Sequence, residues 1–127
     1  LLYSDRHEWV EKQHNGNYRI GLTAFALDLL GELVFVELPQ DGEKFKAGDA
    51  IGIVEAVKAA SDIFTPIAGE VVKVNEAALL EPKQIEQEPY TKGWLLELKP
   101  TSDTKADLNS LIPASDYSKS INQLKPA

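Results

Sequence analysis

The chain has 127 residues, 43% of them hydrophobic, which is enough for one domain with an ordinary core. Its formal net charge of -7 argues against nucleic-acid binding, because such surfaces are built from clustered Lys and Arg. Apolar runs are short, as in LVFVEL at 33–38, and stay far below the roughly 20 residues of a membrane helix. Cysteine is absent and the two histidines lack zinc-site spacing. We therefore expect a soluble protein without disulfides or a metal site.

The first predicted elements are a β-hairpin and a short helix. HEWVEK and NYRIGLT flank HNGN at 14–17, whose Asn-Gly pair favours a type I′ turn. Thr23 then predicts the N-cap of a helix that runs through Leu30, and Gly31 can supply its left-handed stop. The chain should therefore open with a hairpin followed by one helix.

The middle of the chain predicts a β-sandwich or barrel made of two similar halves. Short Val, Ile and Leu segments are separated by Gly and Pro. A weak repeat aligns 31–36 with 69–74, and 51–54 can be laid on 94–97. The second half is longer, and its extra residues fall in NEAALLEPKQIEQEPY, where we expect a helical turn around 77–80.

After Pro100 the character changes from strands to helices. SDTKADLNSLI and PASDYSKSINQL predict two short helices that begin near Ser102 or Asp103 and near Pro113. We expect them to pack on the sheet edges. The predicted organisation is one domain over 1–127, with a core at about 18–99 and a helical cover at about 102–124.

Lys58 lies in VEAVKAASD at 54–62, predicted as a hairpin tip between a strand ending near Val57 and one starting near Asp62. An exposed turn lysine is usually only a solvated residue. Here its neighbours are small, which leaves the amine open to acylation, whereas Lys46 and Lys73 lie in strand patterns. An acyl cofactor on this flexible stem would reach separate active sites while the sheet holds its base.

Several motifs in order resemble one family. EAVKAASD followed by PIAGEVVKVNEA resembles the lipoyl-lysine segment of glycine cleavage system H proteins, and HEWV, GLT, LGELVFVELP and EPYTKGWLLELKP agree. The resemblance runs from Tyr3 to Leu124 and implies a mainly β barrel-sandwich hybrid with short helices, like lipoyl and biotinyl carriers. Biotin carriers usually place methionine beside the lysine, and this chain has none. Two residues depart from the family pattern. Arg6 stands where we expect a smaller or acidic polar residue, and Ala56 stands where we expect a serine.

The resemblance implies lipoate amide-linked to Lys58 and a carrier without catalytic residues of its own. Glycine decarboxylase, which uses pyridoxal phosphate, would load the aminomethyl group of glycine onto the arm. A tetrahydrofolate-dependent aminomethyltransferase would remove it, and dihydrolipoamide dehydrogenase would reoxidise the dithiol. Lipoylating enzymes would be further partners, and the carrier is expected to be a monomer in the bacterial cytoplasm or the mitochondrial matrix.

Further site residues follow from the same resemblance. Glu8 and Asp62 would hold the amine of the loaded arm in a cleft, although Glu8 also fits a solvent-facing strand residue and Asp62 a turn acceptor. Glu55 would help an enzyme to recognise the hairpin, or is simply solvated. Trp9 and Trp94 are expected in the core. His7 is expected to have a structural role and not a catalytic one.

Two other functions remain open at this point. An H-like protein that relays lipoate to other complexes, or acts as a redox-regulated lipoyl module, would carry the same lysine hairpin. An independent enzyme is disfavoured, because the sequence has no nucleophile elbow, phosphate loop or metal-ligand cluster.

Overall fold

The structure, a computed structural model, describes residues 1–124 and consists of two open antiparallel sheets with short helices. The strands are β1 Leu2–Tyr3, β2 Glu8–Lys12, β3 Tyr18–Leu22, β4 Leu33–Glu37, β5 Lys44–Phe45, β6 Ala50–Ala56, β7 Ala60–Phe64, β8 Gly69–Val74, β9 Leu96–Lys99 and β10 Ile112–Pro113. The helices are α1 Ala24–Leu30, α2 Glu76–Leu80, α3 Lys83–Gln87, α4 Thr104–Asn109 and α5 Ala114–Leu124. The larger sheet has the order β10-β1-β2-β3-β9-β8-β5 and the smaller β4-β6-β7. The predicted fold class is confirmed.

The N-terminal hairpin of β2 and β3 forms as predicted, but its turn differs. Gly16 donates to the carbonyl of Gln13, and the Gln13 amide to the carbonyl of Asn17. Gly16 alone in this loop has a positive φ, of 87°. The loop therefore has three residues and ends on a left-handed glycine. The predicted type I′ turn is wrong because the Asn15 side chain accepts from the Asn17 amide, which leaves Asn15 with a negative φ.

Helix α1 begins and ends where the sequence predicts. The Thr23 side chain accepts from the Ala26 amide, and Gly31 ends the helix at φ 82° with its amide bonded to the Leu27 carbonyl. Thr23 is also fully buried, and its hydroxyl lies 2.8 Å from the hydroxyl of Tyr117 on α5. The local cap is therefore also a contact with the C-terminal helix.

The predicted two half-folds appear in the strand pairing. β4 pairs with β6, and β8 pairs with β9 in the same antiparallel sense. Each pair has a register shift at the same place in the repeat, between Leu33 and Phe35 in one and between Val71 and Lys73 in the other. By strand pairing, Val54 of the first half corresponds to Leu96 of the second half. The sequence alignment of 51–54 with 94–97 is therefore off by one residue.

The extra segment of the second half, between β8 and β9, contains more helix than predicted. The expected turn around 77–80 is α2, but α3 follows it and was not predicted. Asn75 holds this segment in place, because its side-chain amide donates to the carbonyls of Lys92 and Trp94. These partners are distant in sequence, which is why no local pattern indicated them.

The C-terminal cover is partly helical and partly strand. α4 has its N-cap at Asp103, as predicted, but ends at Asn109. The predicted helix would have continued through Ile112, which instead pairs with Tyr3 as part of the edge strand β10. Hydrogen bonds to the unpaired edge of β1 stabilise this strand. α5 follows and also contacts β1.

The two tryptophans lie in different places. Trp9 is buried and donates from its indole to the Pro89 carbonyl, so its predicted core position is confirmed. The core prediction for Trp94 is wrong. Trp94 is half-buried, and the guanidinium of Arg19 lies 4.3 Å from its ring centroid. A cation over the aromatic face stabilises it at the surface.

Candidate functional site

Lys58 is exposed at the tip of the β6–β7 hairpin. Glu55 pairs with Ala60, and the Ala56 amide donates to the Ala59 carbonyl at 2.8 Å, which leaves Val57 and Lys58 at the turn. The predicted tip is therefore present. β7 begins two residues earlier than expected, at Ala60, because pairing with β6 continues almost to the turn.

The stem of the Lys58 side chain, from Cγ to Cε, lies against the end of α1. A Cβ added to Gly31 would lie 3.2 Å from Cδ and 3.3 Å from Cε of Lys58. The amide of the neighbouring Val57 donates to the Glu32 carbonyl at 2.8 Å. The hairpin tip is thus anchored to the helix end through its backbone, while Lys58 as a whole remains exposed. Gly31 was predicted as a helix stop, and its contact with Lys58 was missed because it is not local.

Gly31→Ala should lower the free energy of unfolding by about 1–3 kcal/mol, since φ 82° with ψ -156° is open almost only to glycine. The new methyl should also displace the Lys58 side chain, seen as shifted Lys58 resonances in NMR. Gly48→Ala is the control, because Gly48 has φ 91° but no atom near the added Cβ. Unchanged Lys58 resonances in Gly31→Ala would contradict the contact.

Glu8 lies in the wall of a cavity of about 490 Å³ between the turn that precedes β2, the end of β7 and the segment before β10. Its side chain is only 3% exposed, so the alternative of a solvent-facing residue is excluded. The Ser4 hydroxyl donates to its carboxylate at 2.7 Å and accepts from its backbone amide at 3.0 Å. Phe64 of β7 lines the same cavity, which brings the Lys58 hairpin to Glu8.

Burial raises the pKa of Glu8 from its ordinary 4.5 to about 7. The Ser4 hydroxyl, the Phe64 backbone amide and the charge of Arg6 all oppose this rise but do not cancel it. A carboxyl of this kind changes its charge near neutral pH. Near neutral pH it can therefore release its proton and bind a cation at a small cost in free energy.

Asp62 does not line the Glu8 cavity. It pairs with Ile53 inside β7 and is exposed, so the alternative of a turn acceptor does not fit its place. It lines a second groove of about 620 Å³ together with Glu37 and Glu43. Asp62 is separated from Phe64, on the Glu8 cavity, by one two-residue repeat of the strand, about 7 Å. The two predicted cleft carboxylates thus lie in neighbouring depressions.

The remaining predicted residues have clear positions. Glu55 is exposed on β6 between Phe35 and Ala60. His7 belongs to a structural network, with its Nδ1 2.8 Å from the Tyr117 hydroxyl and its carbonyl accepting from Thr23. Lys46 does not lie in a strand as predicted, because its backbone closes a turn with Asp49 after β5.

Comparison with known proteins identifies the family of this chain. The family model described as "Glycine cleavage H-protein" matches residues 1–124. The chain belongs to the glycine cleavage H-protein family. Glycine cleavage system H proteins of Shewanella sp. (strain W3-18-1) and Salmonella paratyphi C are both 45% identical, over 84% and 88% of this chain and 83% and 85% of their own. The crystal structure of a glycine cleavage system H protein from Mycobacterium marinum superposes with a TM-score of 0.85 at 37% identity, covering 95% of each chain.

Within this H-protein chain, the site contains residues that the sequence did not indicate. Ser4 and Phe64 complete the Glu8 cavity, but no local sequence pattern indicated either residue. Ser4 meets Glu8 across the turn before β2, and Phe64 comes from the other sheet. Over residues 1–124, no helix is long and apolar enough to span a membrane. In the same range, no three His, Cys, Asp or Glu side chains group as metal ligands.

Proposed function

We propose that this H protein is a non-catalytic, lipoyl-bearing carrier that shuttles the aminomethyl group of glycine. Its loading enzyme would be glycine decarboxylase, and its unloading enzyme the tetrahydrofolate-dependent aminomethyltransferase. Dihydrolipoamide dehydrogenase would reoxidise it, and a lipoylating enzyme would attach the cofactor. The observation that carries the proposal is the display of Lys58 on a two-residue hairpin tip in a member of this family.

The residues around Lys58 fit a covalently attached lipoyl group. Ala59 and Ala60 are small, and Lys58 itself is exposed, so the side chains that follow the lysine leave its amine open to an acylating enzyme. The backbone bond from Val57 to Glu32 holds the tip, and the stem of Lys58 lies beside Gly31 while the residue remains exposed. When bound, the lipoyl group supplies the dithiolane that accepts the aminomethyl group and two electrons. The protein supplies the anchored base from which this group reaches other enzymes.

The Glu8 cavity fits the resting place of a cationic arm end. Its carboxylate is buried, hydrogen-bonded to Ser4, and connected through Phe64 to the hairpin that bears Lys58. Ionised Glu8 would stabilise a primary ammonium group by a charge-assisted hydrogen bond. The surrounding walls would keep bulk water away from it. Asp62, on the neighbouring groove, would attract the same charge from outside the cavity.

Glu55 is proposed as a recognition residue for a partner enzyme. It is exposed on the strand that leads into the tip, next to the exposed side chain of Phe35. A bare lysine reaches only the length of its own side chain, so the enzyme that acylates it must contact this surface. The carboxylate of Glu55 is available for that contact.

The proposal is tested on protein purified from its native source. Intact mass and peptide mapping across 44–73 should locate a lipoyl increment on Lys58. The lipoylated protein should then accept the aminomethyl group from glycine decarboxylase. An unmodified Lys58 from a lipoylation-competent cell would overturn the carrier function. Lipoylation without aminomethyl acceptance would instead indicate a lipoyl relay.

A further inference from the structure

Arg6 lies at the Glu8 cavity, in the turn that connects β1 and β2. Its guanidinium carbon is 4.1 Å from the ring centroid of Phe64, and both side chains line the cavity. The charged residues of the lining are Asp5, Arg6 and Glu8, so Arg6 is its one cation within the described chain. Among residues 1–124, Arg6 forms no ion pair with a carboxylate. Its exposed guanidinium therefore lies at the mouth of the cavity, against the face of the Phe64 ring.

Glu8 forms no ion pair with a cationic side chain of residues 1–124, although the charge of Arg6 acts on its carboxyl. Its carboxylate receives the Ser4 hydroxyl and is nearly excluded from solvent, but no cationic side chain in the described residues bonds to it. A buried carboxylate gains more from a paired cation than an exposed one does, because water screens the charge less. A second cation placed within a few ångströms of the first is repelled by the same reduced screening. An ammonium group entering the cavity must therefore overcome repulsion from Arg6.

The turn keeps Arg6 in this position. The Ser4 amide donates to the Glu8 carbonyl at 2.9 Å, and the His7 amide to the Ser4 carbonyl at 3.2 Å. His7 closes the turn at φ 69° and is itself fixed by Tyr117. These bonds hold the backbone of Arg6 at the cavity mouth, and the Phe64 ring holds its exposed side chain there.

We propose that Arg6 sets the charge preference of the Glu8 cavity: its guanidinium opposes a primary ammonium group beside Glu8 and leaves neutral occupants unaffected. The meaning of this preference rests on the proposed carrier function. A cationic arm end leaves the cavity more readily than it would without Arg6, and so becomes available sooner to the next enzyme. Arg6 is then a specificity-determining residue of the resting site.

Ethylammonium binding to the unmodified protein tests the inference without any lipoyl group. The titration is followed by NMR through the Glu8 carboxyl and the Phe64 amide, at constant ionic strength and at a pH where Glu8 is ionised in every variant, because loss of the Arg6 charge raises the pKa of Glu8 further. Arg6→Gln should bind ethylammonium with a Kd lower by about fivefold, the order expected for one partly screened charge. Arg6→Lys, which keeps the charge, should bind close to the wild-type Kd. Ethanol, a neutral ligand of similar size, should bind all three proteins equally.

Arg19→Gln is the matched control, because Arg19 is also a cation over an aromatic ring, at 4.3 Å from Trp94, but lies outside this cavity. Its ethylammonium Kd should equal that of the wild type. An unchanged or higher Kd in Arg6→Gln would overturn the inference. The mass test of Lys58 is independent of this result, so a failure of the carrier function and a failure of the Arg6 inference are distinguishable.

Discussion

Lys58→Arg should fold normally and carry no lipoyl group. Arginine keeps the charge and most of the stem, but its guanidinium is not an acyl acceptor under these conditions. Because Lys58 is exposed, the free energy of unfolding should change by less than about 0.5 kcal/mol. Intact mass should show complete loss of the lipoyl increment, and glycine cleavage in the reconstituted system should fall to background.

Lys46→Arg is the control for this substitution. Lys46 is also an exposed turn lysine, but it lies after β5 and not on the β6–β7 hairpin. Its variant should be lipoylated and should support glycine cleavage at the wild-type rate. A lipoyl increment retained in Lys58→Arg, or normal glycine cleavage by that variant, would show that another residue is the attachment site.

Glu8→Gln should change the pH dependence of stability in an unusual direction. The folded pKa of Glu8 is about 7, above its ordinary 4.5, so the folded state binds this proton more tightly than the unfolded state. The resulting stability is fully present below pH 4.5 and is lost as the pH rises through about 7. The difference in unfolding free energy between wild type and Glu8→Gln should therefore change by up to about 3 kcal/mol across this window. Urea unfolding at a series of pH values measures it.

Above neutral pH, the free energy of unfolding of Glu8→Gln should rise relative to that of wild type. The glutamine oxygen can still accept from the Ser4 hydroxyl without burying a charge. Other groups near Glu8, including Arg6, Asp5 and His7, are present in both proteins. Burial lowers the pKa of His7, so its own effect has the opposite sign and largely cancels in the difference. A difference that stays flat between pH 4.5 and 7 would contradict the raised pKa of Glu8.

Glu97→Gln provides a carboxyl control of opposite sign. Burial alone would raise the pKa of Glu97, but hydrogen bonds from Asn17, Asn15 and Arg19 lower it. Its stabilising contribution is present above the ordinary value of 4.5 and is lost as the pH falls through the lowered folded value. Glu97→Gln should thus be less stable at neutral pH. Its difference from wild type should be constant where that of Glu8→Gln changes.

Some of the site could be predicted because its causes are local. The Thr23 cap, the Gly31 stop and the alternating strands on both sides of Lys58 are all determined within a few residues. The two half-folds were also visible, since equivalent strands repeat the same apolar pattern. For Lys58, exposure at a turn needed only these strands and the small residues around the lysine. The identity of the cofactor came from the resemblance to a family and remains a proposal.

Other parts depended on contacts between distant segments. Glu8 alternates along β2 like a surface residue, and it is buried only because β7 and the segment before β10 cover it. Trp94 looks like a core residue, but Arg19 on β3 stabilises its ring at the surface. Asp62 lies inside β7 and not at the turn, because pairing with β6 continues to Ala60, and it lines a separate groove.

The sequence by itself therefore determined the β class of this H protein, its capped helix and the exposed lysine at a hairpin tip. Only the tertiary structure decided the environment of Glu8, the place of Arg6 over Phe64 and the edge strand formed by Ile112. The physical reason is range. Caps, turns and alternation depend on neighbours within one element, whereas burial and the pKa of a carboxyl depend on which distant segments exclude water from it.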